Sequence, residues 1–284
     1  MKTGCIIQAR TSSTRLPKKV LKPLPFSSDV TILQQVIKRA RQVAGVDAVV
    51  IATTLESEDD AIAMVAEKEG VEVFRGSKEN VLERYFLAAQ TFGLDQIIRI
   101  TSDCPCLDPE VTGRVLAQHL QEKADYTSNS LVRSYPHGMD SEVFTFKALE
   151  KAYKEATETF EIEHVTPYLY RTKPDKFRIA SVEAPAEHKA PHIRVTVDTP
   201  EDYQLLCAVY DFLYEPTGTF GVAELLELFQ QKPWLLMLNE KVVQKKVLNS
   251  LDEEIHEAFH VMEKQELYRA KAYFQKKYDY EFRS

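Results

Sequence analysis

Short apolar runs alternate with longer amphipathic stretches along most of this chain. Cys5 to Ile7 is the first such run, and its length fits a buried strand. Thr31 to Ala44 follows a helical period: Ile32, Leu33, Val36, Ile37 and Ala40 share one face, and Lys38, Arg39 and Arg41 the other. Asp47 to Thr53 is apolar and β-branched, a second buried strand. Ser57 to Gly70 reads as a helix with Ser57 at its N-cap and Gly70 at its end. Val71 to Phe74 is a third strand, Asn80 to Phe92 a helix, and Gln96 to Thr101 a fourth strand. Alternation of this kind predicts an α/β fold with a doubly wound, mainly parallel sheet.

The second half is less regular. Pro105 and Pro109 bracket the entry to a helix reaching Lys123. A short strand is expected over Asp125 to Asn129, and Tyr135 to Phe144 reads as a turn feeding another strand. Lys147 to Glu155 is helical, and Phe160 to Tyr168 is a helix interrupted by Pro167. Lys176 to Glu183 and His192 to Val197 read as strands. The second runs into Asp198-Thr199-Pro200-Glu201-Asp202, a helix start with Pro in its first turn, and Tyr203 to Tyr214 is the helix. Asp202 there fits charge at a helix N-terminus rather than a catalyst. Val222 to Gln231 is a further helix, with Trp234 just beyond it. From Asn239 onward Lys and Glu dominate, and Val242, Val243, Val247 and Leu251 keep helical spacing. The expected organisation is one domain over residues 1–238 and a helical tail over 239–284, either a hairpin or a homodimerisation element.

Length and composition support that division. The 284 residues are 44% hydrophobic and 10% aromatic, ample for one large core. The net charge of -7 disfavours a nucleic acid partner. Four scattered cysteines make no disulfide framework, and Cys5 and Cys207 read as buried thiols in a reducing compartment. The N-terminal apolar run is too short for a signal peptide, and no apolar stretch reaches membrane-spanning length. A cytoplasmic protein without membrane insertion is expected.

Charge distribution adds the first chemistry. Arg10, Arg15, Lys18, Lys19 and Lys22 follow the first strand, and no Asp or Glu precedes Asp29. Cations collected past a first strand suit a polyanion, and Ser12, Ser13 and Thr14 add donors. The reading is a triphosphate-binding loop, against the alternative of a solvated basic turn. Asp103, after the fourth strand, is placed like a metal ligand, whereas Asp108 before Pro109 fits a helix cap. Cys104 and Cys106 are too close for a zinc knuckle. Asp198 is a second acid at a predicted strand end. Tyr135 to Glu142, with His137 and Asp140, suits recognition of a hydroxylated small molecule, although a plain Pro/Gly turn explains it too. Glu163 beside His164 is either a site pair or a solvated helix face. His256-Glu257-Ala258-Phe259-His260, with Glu281 downstream, matches a zinc protease pattern. The upstream chain already belongs to another fold, so the segment is read as a charged helix with Phe259 and Val261 packed.

Six motifs occur in order: IIQARTSSTRLPKKVLKPL, FRGS followed by NVLERY, RITSDCPCLDPE, YPHGMDSEVF, EHVTPYLY and RVTVDTPEDY. Over residues 4–240 the chain resembles the SpsF-type spore coat polysaccharide biosynthesis proteins. These stand with the cytidylyltransferases, alongside the CMP-Kdo and CMP-acylneuraminate synthetases. The resemblance implies a GT-A-like, Rossmann-related nucleotidyltransferase fold. It also implies Mg²⁺-dependent transfer of CMP from CTP to an acceptor sugar, with pyrophosphate release, in surface or spore coat polysaccharide biosynthesis. By the same resemblance Arg10, Ser13, Arg15 and Lys19 line the triphosphate loop, and Gln8 and Ala9 meet the base. Asp103 and Asp198 bind the metal. Arg75 and Arg84 are candidates for nucleotide contacts, and Tyr135, His137, Asp140, Glu142, Glu163 and His164 for acceptor contacts. Arg10, Arg15, Lys19 and Asp103 are the expected catalytic groups.

Two positions depart from that pattern. Lys18 replaces the usual Gly of Pro-Gly-Lys, where glycine lets the backbone lie close to phosphate. Lys18 would redirect the loop or add a charge to the nucleotide site. Ile162 stands where Arg is common. Two other readings keep the same residues: a glycosyltransferase using a sugar nucleotide, and a non-catalytic nucleotide-binding scaffold. A basic loop long enough for a triphosphate disfavours the first.

Overall fold

The computed structural model describes residues 1–243 and 250–278. Val247 and Glu281 lie outside them.

β1 (Thr3–Gln8) leads through the basic loop and a 3-10 turn at Lys19–Leu21 into α1 (Ile32–Ala40). β2 (Ala48–Thr54), a 3-10 turn at Ser57–Asp59, α2 (Asp60–Glu69) and β3 (Glu72–Gly76) follow. Next come α3 (Val81–Thr91), β4 (Gln96–Thr101) and α4 (Pro109–Glu122). β5 (Tyr126–Ser128), β6 (Glu142–Thr145), α5 (Phe146–Glu155), α6 (Thr159–His164) and β7 (Ile179–Ser181) complete the sheet region. The remainder is helical: α7 (Pro200–Leu213), α8 (Val222–Gln231), α9 (Leu251–Lys264) and α10 (Tyr268–Tyr278).

The strands form one sheet in the order β3-β2-β1-β4-β6-β5-β7, and only β6 runs against its neighbours. Alternation along β1 sends Cys5 and Ile7 to the face covered by α1, α2 and α4, and Ile6 to the face covered by α3 and α5. A third apolar cluster joins α7 and α8 to Leu24, Tyr135, Ile193, Val195 and Val197. No described helix is long and apolar enough to cross a membrane.

Local signals place most helix ends. Thr31 caps α1 in a reciprocal capping box with Gln34, an arrangement worth about 1 kcal/mol. Asp108 caps α4 with one carboxylate oxygen and accepts from the Val222 N–H at the start of α8 with the other. α6 stops at His164, before Pro167. The four cysteines are free thiols, and Cys207 is only half-buried.

Besides the burial of Cys207, four expectations are corrected. His192 to Val197 forms no strand, only one bridge between Arg194 and His137. The partner segment cannot extend a ladder: Pro136 has no N–H, and Gly138 turns the chain away at φ 115°. A side chain on Gly138 would lie 2.7 Å from the Val195 carbonyl, so this close approach needs glycine. Lys176 to Glu183 shrinks to the three residues of β7. Ser57 does not cap α2, which starts three residues later behind the 3-10 turn. Arg39, assigned to the polar face, is buried. Its Nη1 donates to the Leu107 and Phe220 carbonyls at 3.0 and 2.7 Å, and its guanidinium lies over the Phe220 ring. Periodicity in α1 could not register those distant partners.

Candidate functional site

Gln8 and Thr101 end neighbouring strands and pair in register. β2 lies on one side of β1 and β4 on the other, and α/β sheets open a crevice at such a switch point. A cavity of about 500 Å³ occupies it. Its walls are Gln8 to Arg10, Ser12 to Arg15 and Lys19 from the loop after β1, and Val81 and Arg84 from α3. Thr101 to Asp103, Glu163, His164 and Asp198 complete them.

The loop is shaped from below. The Thr11 N–H and Oγ1 both donate to Asp59 Oδ1 at 2.7 Å, and Thr54 Oγ1 donates to Asp59 Oδ2. Burial works against the Asp59 charge, but these bonds and nearby Arg84 hold its carboxyl below the usual carboxylate range. The loop then closes on itself, with the Ser13 and Lys18 N–H groups donating to the Thr11 carbonyl. Lys18 takes a left-handed conformation, φ 53° and ψ 29°. Glycine adopts that geometry without the steric cost an L-residue bears there.

Lys19 lies at the centre. Its Nζ donates to Asp103 Oδ2 at 2.9 Å and to Asp198 Oδ1 at 2.8 Å. Burial disfavours the ammonium, but the two carboxylates raise it above the usual lysine value. Burial also opposes charge on Asp103, yet Lys19 and bonds from Thr101 and Lys19 hold it well below the usual range. Asp198 is lowered too: burial and the Asp103 charge act upward, and Lys19 and Arg194 override them. The Val197 N–H donates to the Asp103 carbonyl at 2.9 Å, which fixes the two acidic segments side by side.

Two buried polar atoms of cavity-lining residues, Gln8 Oε1 and Arg84 Nε, have no partner among the described residues. Leaving such groups unpaired costs about 1–3 kcal/mol each. Two carboxylate oxygens turned to one point are a donor set for a hard divalent cation, with ligand oxygens and water filling the other positions. Asp103 and Asp198 could hold it. No group of three or more His, Cys, Asp or Glu suited to a metal occurs among the described residues. The His256 to His260 segment packs as part of α9, with Phe259 buried, Val261 half-buried and His260 exposed.

Other candidates lie elsewhere. Lys18 is exposed and does not line the cavity, and Lys22 stacks over Tyr203. Arg75 ties β3 to the segment after β2 through Asp60 and the Thr54 and Glu56 carbonyls. Tyr135 is a core residue in the α7–α8 cluster. Glu142 faces Arg99, Tyr126 and Thr166 within the fold. Asp140 is held by both Nη atoms of Arg133. His137 lines a second cavity of about 460 Å³ against α9. Burial, partly opposed by Asp140, pushes its imidazole below the usual value. Ile162 is half-buried and outside the first cavity. Sequence reasoning missed the part of Asp59 in shaping the loop and that of Arg194 behind Asp198. No local pattern marks either, because both act on residues far away in the chain.

Residues 4–255 match the cytidylyltransferase family model. The chain is 37% identical over 233 residues to the spore coat polysaccharide biosynthesis protein SpsF of Bacillus subtilis, covering 80% of this chain and 94% of that one. It is 36% identical over 248 residues to the protein MJ1063 of Methanocaldococcus jannaschii, covering 86% and 97%. A solved cytidylyltransferase structure from Leptospira borgpetersenii superposes with a TM-score of 0.77 at 32% identity, covering 88% of this chain and all of that one. A Rossmann-like nucleotidyltransferase sheet, a cation-rich loop past its first strand, and a match that spans most of the chain agree: this protein belongs to the cytidylyltransferase family.

Proposed function

We propose that the protein transfers CMP from CTP to a hydroxyl of a small acceptor sugar, releasing pyrophosphate, with Mg²⁺ held by Asp103 and Asp198, in the making of a surface or spore coat polysaccharide. The observation that carries this reading is the convergence of both carboxylates on Lys19 at the mouth of the basic loop. The acceptor oxygen bonds to the α-phosphorus, the α–β bridging P–O bond breaks, and the hydroxyl proton passes to solvent. Mg²⁺, when bound, neutralises phosphate charge and orients the leaving pyrophosphate.

The chain's own groups divide the remaining work. Arg10, Arg15, Ser13 and the loop amides bind the β- and γ-phosphates, where charge grows as pyrophosphate departs. Lys19 sits close enough to the carboxylates to exchange them for phosphate oxygens. Gln8 and Ala9 line the cavity at the end of β1, which supports contacts with the base, and Arg84 lines it from α3. Glu163 and His164, at the end of α6, line the same cavity, which supports a role in contacting sugar hydroxyls. The α9–α10 hairpin exposes Leu267, Tyr268 and Tyr273, which supports self-association of two copies through the tail. Sedimentation of Leu267→Glu against the unaltered protein tests that point.

The function is tested by thermal stability with Mg²⁺ and each nucleoside triphosphate in turn, since a ligand of the native state raises the midpoint by mass action. CTP alone is expected to shift it, and Arg15→Ala and Asp103→Ala to remove the shift. Pyrophosphate release across a panel of sugars then identifies the acceptor. A shift with another nucleotide changes the substrate, and no shift with any rejects the reading.

A further inference from the structure

Behind Asp198 lies a buried polar network that the chemistry above does not use. We propose that Arg194 is a positioning residue: it turns the Asp198 carboxylate so that one oxygen faces Lys19 and the cavity. The inference deepens the cytidylyltransfer reading and rests on it for its functional consequence.

The two oxygens of Asp198 have different partners. Oδ1 accepts from Lys19, while Oδ2 lies 2.7 Å from Arg194 Nη2 and 3.3 Å from Arg15 Nη2. Arg15 is on the exposed loop, with 39% of its side chain accessible, against 10% for Arg194. The buried guanidinium is therefore the fixed restraint, and Arg15 remains available to a ligand.

Arg194 is itself locked. Its Nε and Nη2 donate to the two oxygens of Asp202 at 3.0 and 3.1 Å, and its Nη1 to His137 Nδ1 at 3.1 Å. Asp202 is fully buried. It also accepts from the backbone N–H of Asp198 at 3.0 Å and from Asn239 Nδ2 at 2.9 Å. One carboxylate thus holds both the backbone of Asp198 and the guanidinium that turns its side chain. Asn239 closes the network through the Arg194 carbonyl. A forked, planar cation is needed to reach Asp198, Asp202 and His137 together, and the point charge of lysine cannot do this.

The test uses the full-length protein and Mn²⁺ as the probe, titrated by electron paramagnetic resonance with and without CTP. In Arg194→Lys we expect a folded protein whose Mn²⁺ affinity is roughly 10- to 100-fold weaker, the usual effect of losing an outer partner of a metal ligand. Pyrophosphate release should recover at high Mn²⁺, so the cation requirement rises while saturated turnover changes little. A purely structural role would lower the melting midpoint and leave the cation constant alone. If Arg194→Lys does not fold, Arg194→Met with Asp202→Asn removes both charges and leaves none buried alone. A crystal structure of the folded variant decides independently of any metal: Asp198 Oδ1 turned away from Lys19 supports the proposal. Asp198 unmoved with unchanged Mn²⁺ affinity overturns it. Should the unaltered protein take up no Mn²⁺, the cation reading fails, and the Asp198 orientation in the variant still decides the role of Arg194.

Discussion

Thr11 gives both its backbone N–H and its hydroxyl to one oxygen of Asp59. A loop otherwise free of carboxylates is thereby shaped by an acid from the turn before α2. Asp59→Ala leaves a buried N–H without an acceptor and is expected to cost about 1–3 kcal/mol. The loop should also lose its arrangement, so CTP should bind more weakly in a protein that still folds. Denaturant unfolding and CTP titration of the same variant check both parts, and unchanged CTP affinity would separate Asp59 from the site.

Asp103 and Asp198 share one ammonium. Asp103→Ala and Asp198→Ala are each expected to reduce pyrophosphate release by about 100-fold or more, the scale of a lost electrostatic contact at a transition state. Both variants should keep a cooperative melt. Full turnover in either would remove that residue from the chemistry.

Lys18 holds a left-handed backbone that costs an L-residue about 1 kcal/mol. Lys18→Gly removes that strain, partly offset by the greater chain entropy of glycine in the unfolded state. A gain of about 0.5 kcal/mol in unfolding free energy is expected, with the CTP-induced shift kept, because Lys18 does not line the cavity. Loss of stability in this variant would contradict the strain argument.

His119 of α4 is buried between Thr127 Oγ1 and Gln96 Oε1, at 3.0 and 2.9 Å. Burial, weakly opposed by Asp125, pushes its imidazole down to about 4 from an ordinary 6.5. Between those values the unfolded chain is protonated at His119 and the folded chain is not. The contribution is complete above pH 6.5 and lost as pH falls toward about 4, at up to ~1.4 kcal/mol per pH unit. Unfolding free energies at several pH values across that window should decline less steeply in His119→Gln than in the unaltered protein. Parallel declines would assign the acid loss to other groups.

Much of the architecture was written locally. The apolar runs at Cys5–Ile7, Asp47–Thr53 and Gln96–Thr101 and the helix caps at Thr31 and Asp108 act through near neighbours in the chain, and the cations Arg10, Arg15 and Lys19 stand close together in it. Side-chain alternation and capping are short-range effects, so a sequence displays them directly. Candidate site residues were recognisable by type and motif, yet their grouping was not. Arg84 enters the cavity while Arg75 pairs with Asp60, and nothing in the composition of α3 or β3 separates them. His137 and Asp140 sit in an inviting polar turn but face Arg194 and Arg133.

What the chain itself determined is the alternation of strands and helices and the placement of a cationic loop after the first strand. Only the tertiary structure decided that Asp103 and Asp198 face one ammonium, that Arg39 is interior, and that Asp202 anchors Arg194. Each of these depends on a contact between segments far apart in sequence, such as the Val197 N–H on the Asp103 carbonyl. Such contacts form when packed elements bring their ends together, and the periodicity of a single element carries no record of what lies across the fold.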